Sequence, residues 1–317
     1  MAERRDDPVT GRVVLCAPGR AARPHTVAPA PAGPPAVAGC PFCPGNEQET
    51  PPECARTGSG DPDAPGWRVR VVPNLYPVVG GPATGPGASG AHEVVILDPD
   101  HSRDLARMDD ARVEELFTVL RDRARVHAGA GAAHVQVLLN HGRAAGASIA
   151  HPHAQVIAIE FVPPLVREGL TRFAAARTDV VAADFDASGP QGGRVVDGPG
   201  WAWVPWAAAS PYETRVAAPD AGARFEATPD GALAAVARLT RDVAAGMARL
   251  LGEIAYNVTV HNGPARGDDR YHWYVTVTPR LSTIAGFELG TGVLVNSVLP
   301  ADAAEQLRQA VTEGALP

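Results

Sequence analysis

No lysine occurs among the 317 residues; all 28 cationic side chains are arginine. Any cation that meets a substrate phosphate in this chain is therefore a planar, obligately charged fork rather than an ammonium point charge. A positive excess is missing as well. With 28 basic against 35 acidic residues the formal net charge is −7, which excludes the bulk electrostatic footprint of a nucleic-acid binder. No apolar run approaches the ~18 residues of a transmembrane helix. The charged start from Met1 to Asp7 is followed by no signal-type apolar segment. The expectation is a cytoplasmic chain with neither membrane nor nucleic acid as partner. Cysteine is scarce too: Cys16, Cys40, Cys43 and Cys54 are the whole set, too few to suggest a disulfide framework in a reducing compartment. The length suffices for one large domain or two modest ones, and no linker divides it.

What is present is concentrated between Asn140 and Gln155. Two strand-like apolar runs, His134–Leu139 and Val156–Ile159, flank a glycine-bearing loop, a serine and the run His151-Pro152-His153-Ala154-Gln155. In an extended chain, positions i, i+2 and i+4 share a face, so His151, His153 and Gln155 project together beside a loop that brings backbone N–H groups close to a ligand. A neutral imidazole is a competent nucleophile toward phosphorus near pH 7, and attack gives a phosphoramidate, splitting one hard displacement into two. Glutamine donates hydrogen bonds to a phosphoryl oxygen but cannot protonate a leaving group. The chemistry thus favours transfer between phosphates over simple hydrolysis.

This motif, preceded by Asn140, Gly146 and Ser148, resembles the signature of the galactose-1-phosphate uridylyltransferases and related nucleotidyl transferases of the histidine-triad superfamily. The resemblance implies that His153 is the nucleophile, that Gln155 and Ser148 contact the transferred phosphoryl group, and that Asn140 and Gly146 belong to the phosphate-binding loop.

Cys40-Pro41-Phe42-Cys43 sits in a loop, after a Pro/Ala-rich stretch, rather than at the start of a helix. That favours a metal knuckle over a redox pair, and a tetrahedral Zn²⁺ needs two further ligands. The run Cys-Pro-Phe-Cys-Pro-Gly-Asn-Glu also resembles the family. The resemblance supplies His101, in Asp98-Pro99-Asp100-His101, and His151 as the remaining ligands of a structural zinc. His92 and Cys54 compete for those places.

The order helix, strand, Asn/Gly loop and His-bearing strand occurs twice. Its first copy spans residues 110–128, His134–Leu139 and the strand from His151. Its second spans residues 229–251, Tyr256–Val260 and His272–Val277. The reading is an α+β fold of two fused histidine-triad-like lobes, each an antiparallel sheet with packed helices. Residues 1–180 form the lobe with knuckle and nucleophile, and residues 181–317 a lobe contributing sugar-phosphate contacts. Where relatives carry His-aromatic-His, this chain has His272-Trp273-Tyr274, so no second metal is carried over and His272 is assigned to a substrate hydroxyl or to the core. By resemblance, Phe287, Glu288 and Asn296 contact the sugar, although the family's lysine is absent. Asn74 and Tyr76, in Pro73-Asn74-Leu75-Tyr76-Pro77 after the strand Trp67–Val72, line the base and ribose pocket; a plain turn explains the same residues. Residues 18–38, 80–90 and 184–200 read as poorly ordered loops.

The activity implied is ping-pong transfer of a nucleoside monophosphate between a nucleotide sugar and a sugar 1-phosphate through a covalent nucleotidyl-histidine. The resemblance leaves room for a homodimer. Two alternatives stay open. One is a nucleotide-sugar phosphorylase using inorganic phosphate; the other is a non-catalytic, zinc-stabilised nucleotide-binding module.

Overall fold

The structure is a computed structural model that describes residues 2–22, 39–80, 89–189, 191–267 and 270–312. The chain opens with two short strands, β1 (Glu3–Asp6) and β2 (Val13–Cys16), followed by β3 (Ala55–Gly58), β4 (Trp67–Pro73) and β5 (Gly90–Ile96). Helix α1 (Asp110–Gly129) leads to β6 (His134–His141) and β7 (His153–Ile159), then to α2 (Pro164–Ala176) and α3 (Val180–Ser188). Next come β8 (Arg194–Asp197), β9 (Trp201–Trp203), β10 (Thr214–Ala217) and α4 (Asp230–Leu251). The chain continues through β11 (Tyr256–His261), β12 (Tyr274–Pro279), α5 (Gly286–Thr291), β13 (Leu294–Asn296) and α6 (Pro300–Thr312).

Ten strands form one antiparallel sheet in the order β3-β4-β5-β7-β6-β11-β12-β10-β9-β8. The order is palindromic, each strand of the first half having its counterpart in the second. The register repeats as well. Val94↔Gln155 and Leu139↔Ala154 recur as Arg215↔Thr276 and Val260↔Val275, each residue moved on by 121 (215 less 94, 276 less 155). The buried stripe of α1 (Val113, Leu116, Phe117, Leu120, Ala124) recurs on α4 as Leu233, Val236, Ala237, Thr240 and Ala244, moved on by 120 (233 less 113). The sheet is therefore built of two matching halves, rather than of one sheet to each expected lobe. The halves meet where β6 pairs with β11, with Leu139 opposite Val258 and Asn140 opposite Asn257.

Alternation along each strand sends the two faces to different surroundings. One face, with Val95, Val137, Leu139, Val156, Val258, Val275 and Val277, is covered by α1 and α4 in the main core. The opposite face differs between halves. In the first half it carries His153 and Gln155. In the second it is closed by α2 and α3, whose Phe173, Val181 and Phe185 pack with Trp203, Tyr271 and Tyr274. Tyr274 stands where the first half has His153, and His261, which matches Asn140, stacks on it with centroids 4.4 Å apart. Burial pushes the His261 ring down to about 3, so it sits there neutral.

Several expectations are corrected. The strands expected from His151 and His272 begin at His153 and Tyr274. Pro152 has no N–H for a ladder, and its carbonyl accepts from Leu97 instead. The segment 184–200, read as loop from its glycines and aspartates, contains the end of α3 and all of β8. Asp179 caps α3, its carboxylate accepting from the Val181 and Ala182 N–H groups. Residues 18–22 form a 3-10 turn and Gly90 opens β5, while 23–38 and 81–88 lie outside the described residues. A second, three-stranded sheet, β1-β2-β13, went unanticipated; β13 runs parallel to β2.

That small sheet is tied to the large one by buried charge. Arg215 on β10 bonds Asp7, which follows β1, and Asp184 on α3 at 2.8 Å; all three side chains are almost wholly buried. Trp203 Nε1 donates to the same Asp184 carboxylate at 2.7 Å. Burial alone would raise the Asp7 carboxyl, but the Arg215 guanidinium holds it below the ordinary carboxylate range. Removing one partner strands the others in the interior. Arg215→Leu is expected to cost about 3–5 kcal/mol in chemical denaturation, against ~1 kcal/mol or less for Arg4→Leu, whose pair with Asp6 is exposed. Equal losses in the two variants would contradict this.

Candidate active site and metal centre

Cys40, Cys43, His101 and His151 converge, their four ligand atoms all lying within 4.8 Å of one another. Cys43 Sγ is 3.4 Å from His101 Nδ1 and 3.6 Å from His151 Nδ1, and Cys40 Sγ is 3.8 Å from His151 Nδ1. A tetrahedron with metal–S of about 2.3 Å and metal–N of about 2.0–2.1 Å has S···N edges of about 3.6 Å. The residues therefore fit a four-coordinate metal ion. Neither competitor joins them: Cys54 Sγ lies 3.5 Å from the Val71 carbonyl and from Glu93, and the His92 ring bonds Gln155 instead.

The chain builds this cluster from local turns. The Cys43 N–H donates to the Cys40 carbonyl, Asn46 Nδ2 donates to the same carbonyl, and Gly45 turns with φ of 95°. Glu47 pins the knuckle, accepting from Gly45 N–H and from Trp67 Nε1 on β4. Across the sheet, Asp98 Oδ1 accepts from Asp100 N–H and Asp100 Oδ1 from Ser102 N–H, two nested Asx turns that aim His101. His151 is fully buried, and its Nε2–H donates to the Asp98 carbonyl at 2.7 Å, which leaves the Nδ1 lone pair facing the sulfurs. Burial drives the His151 imidazole down to about 4, and it raises the Cys43 thiol to about 11. A cation among these groups would suit the neutral imidazole and would reverse the thiol's preference.

Two residues on, His153 repeats the device in reverse. Its Nδ1–H donates to the His151 carbonyl at 2.9 Å, so Nε2 carries the lone pair. Burial lowers the pKa of the ring, keeping it neutral. Phe42 stands edge-on to both rings, 6.2 Å from His151 and 5.4 Å from His153, so the knuckle packs directly on the second imidazole. Gln155 Oε1 lies 2.8 Å from His92 Nε2, which turns the Gln155 N–H₂ group away from β5.

The loop between β6 and β7 is shaped by Gly142 (φ 78°) and Gly146 (φ 93°), and a Cβ on Gly142 would stand 2.9 Å from Ala255. Asn257 of the second half donates to Asn140 Oδ1 at 2.7 Å and to the Ala145 carbonyl at 2.9 Å. The Asn140 N–H₂ is thereby left toward Gly146, and Ser148, two residues further on, is exposed. Asn74 Oδ1 accepts from Tyr76 N–H, the turn that its sequence suggested, and the Tyr76 ring is 84% exposed.

The remaining sequence-predicted residues are held elsewhere. Asn296 donates to the carbonyls of Ala208 and Ser210 and accepts from Val298 N–H. His272 bonds Asp179 at 2.5 Å and the Ala218 carbonyl at 3.0 Å. Glu288 accepts from the Ala285 N–H at the start of exposed α5, and Phe287 is half-exposed. Among the described residues no hydrogen bond, ion pair or ring contact joins these four to His153 or Gln155. Asn257, His92 and the Asp98 carbonyl are site residues that sequence reasoning missed or misassigned. Only the cross-strand register, Val94↔Gln155 and Asn140↔Asn257, brings the first two into view.

Known proteins match this arrangement. The sequence model of the galactose-1-phosphate uridyl transferase N-terminal domain matches residues 84–163, which include His101, His151, His153 and Gln155. An ADP-glucose phosphorylase of Arabidopsis thaliana is 31% identical over 97% of this chain and 92% of its own length. A galactose-1-phosphate uridylyltransferase of Thermotoga maritima is 26% identical over 74% of this chain and 78% of its own. The crystal structure of an ADP-glucose phosphorylase from Arabidopsis thaliana with bound ADP-glucose superposes with a TM-score of 0.85 at 29% identity, covering 98% of both chains. With its palindromic sheet and His-Pro-His-Ala-Gln strand, the chain belongs to the galactose-1-phosphate uridylyltransferase-like family of the histidine-triad superfamily, a family of nucleotidyl transferases and phosphorylases.

Proposed function

We propose that the protein is a nucleotide-sugar phosphorylase that cleaves ADP-glucose or a close analogue. The observation that carries covalent transfer is the neutral His153 ring with its Nδ1–H spent on the His151 carbonyl. His153 Nε2 attacks the phosphorus of the nucleoside monophosphate unit; the N–P bond forms as the P–O bond to the sugar phosphate breaks. The sugar 1-phosphate leaves as an anion that needs no proton. Gln155 and Asn140 N–H groups and the Ser148 hydroxyl stabilise the phosphoryl oxygens in this scheme. Inorganic phosphate then attacks the same phosphorus, releasing nucleoside diphosphate and the free imidazole.

The near-full-length match to an ADP-glucose phosphorylase favours phosphate as acceptor and adenine as base. Phe287, Glu288 and Asn296, the sugar contacts by resemblance to uridylyltransferases, have other partners or stand exposed, which also weighs against a second sugar phosphate. A sensing module without turnover has no use for a nucleophile held in one tautomer.

For the cluster of two cysteine sulfurs and two imidazoles we infer zinc, whose preferred donors and tetrahedral geometry it matches. Bound there, zinc supplies a closed structural staple between the knuckle and the strand that carries His153.

Incubation with ADP-glucose is expected to add one adenylyl group to the native protein, stable in alkali, and addition of inorganic phosphate should discharge it as ADP. His153→Ala should lose the adduct and at least about a thousandfold in turnover while still binding the nucleotide sugar. Turnover by His153→Ala at a rate near native would overturn the nucleophile. Discharge by galactose 1-phosphate but not by phosphate would favour the uridylyltransferase reading.

The metal is tested separately. Native protein should carry one zinc per chain by elemental analysis. The Cys40→Ser, Cys43→Ser double variant should lose it together with a marked drop in Tm, because binding energy at such a site is folding energy. Stoichiometric zinc in the double variant would refute the assignment.

A further inference from the structure

His92 emerges from the sequence as a rival metal ligand, yet it lies outside the metal cluster and has no part in the reaction as written above. It is buried, and its ring is engaged on both edges. Val78 N–H points at Nδ1 from 3.2 Å, and Gln155 Oε1 lies 2.8 Å from Nε2. A backbone N–H can only donate, so Nδ1 must hold a lone pair. The single proton of the neutral ring is then on Nε2, where it donates to Gln155 Oε1. Burial lowers the pKa of this imidazole, which agrees with one proton rather than two. Asn74 closes the arrangement. Its Oδ1 is taken by Tyr76 N–H, its backbone N–H donates to the His92 carbonyl at 2.8 Å, and its Nδ2, which can only donate, lies 3.4 Å from the Nδ1 lone pair and 3.1 Å from Nε2, where this tautomer offers it no acceptor.

We propose that His92 is the positioning residue for Gln155: the Val78 backbone fixes the His92 tautomer, and that tautomer decides which end of the Gln155 amide faces the phosphoryl group. The two ends of a glutamine amide are nearly equal in shape and opposite in hydrogen bonding. Turned the wrong way, Gln155 would offer a carbonyl oxygen to an anionic phosphate and repel it. Because Val78 and Asn74 belong to the turn after β4, the same ring also links the Asn74–Val78 segment to the amide beside His153. The inference rests on the proposed role of Gln155.

Two measurements test it. In protein labelled with ¹⁵N-histidine, His92 should show the Nε2-protonated, Nδ1-unprotonated tautomer; the opposite tautomer would overturn the proposal. This arm needs no substrate and no variant, so it stands even if ADP-glucose leaves no adduct, a result that would count against the proposed reaction alone. The second arm is a double-mutant cycle on single-turnover adenylylation by ADP-glucose. His92→Phe keeps the ring volume and removes the donor. It should slow the step about ten- to a hundredfold, the scale for partners that orient a reactive group. In Gln155→Ala the same His92→Phe change should cost nothing more, and His92→Gln, which retains a side-chain N–H, should recover part of the rate. A merely structural role predicts equal losses with and without Gln155, and that outcome would also overturn the proposal.

Discussion

The pairing of β6 with β11 is the constraint on which the rest of this structure depends. It joins two five-stranded halves into one sheet and sets a pseudo-twofold axis through the seam. It also puts Asn257 of the second half against Asn140 and the Ala145 carbonyl of the first. The loop before His151 is therefore braced by a residue more than a hundred positions away. Neither half holds the site alone.

Symmetry of the backbone makes the asymmetry of the side chains informative. Where the first half has Val94, His153 and Gln155, the second has Arg215, Tyr274 and Thr276. At the second and third of these places a histidine and a glutamine give way to Tyr274 and Thr276, which are buried in the protein interior. The aromatic layer under α2 and α3 and the Asp7–Arg215–Asp184 network fill the face that corresponds to the one carrying His153 and Gln155. The candidate metal ligand is exchanged in the same way. His151 faces two sulfurs, whereas His272, at the matching place, is held by Asp179 and a carbonyl.

What could be read from sequence was what is chemically local. Cys40 and Cys43, or His151 and His153, carry their meaning in the interval between them, because a loop knuckle and an extended strand translate spacing directly into direction. The repeated helix and strand pattern was legible for the same reason, since α1 and α4 keep one buried stripe each. Closure of the second half was not, because nothing in 164–188 says which surface Phe173 and Phe185 will cover. His92 misled for a related reason: a histidine among strand residues suggests a ligand, and only cross-strand register brings its ring to Gln155. The segment 184–200 was misjudged because glycine and aspartate count as loop formers, yet Asp179 caps a helix just before it and Arg194 opens a strand within it.

The fixed shift of 121 between β5–β7 and β10–β12 works as a restriction on length. One residue inserted inside any of these strands would turn every later side chain in it to the opposite face, sending Gln155 or Thr276 among the helices. The helices, shifted by 120, show where a residue was gained or lost without harm: in the connections that enter and leave them. The outer strands show another outlet, since the β3–β4 and β8–β9 pairs each carry a register irregularity, after Arg56 in one and before Val196 in the other. Over generations, such a molecule is free to change length at its rim and in its helix connections, while its three central pairs of strands behave as a ruler that permits substitution but not insertion.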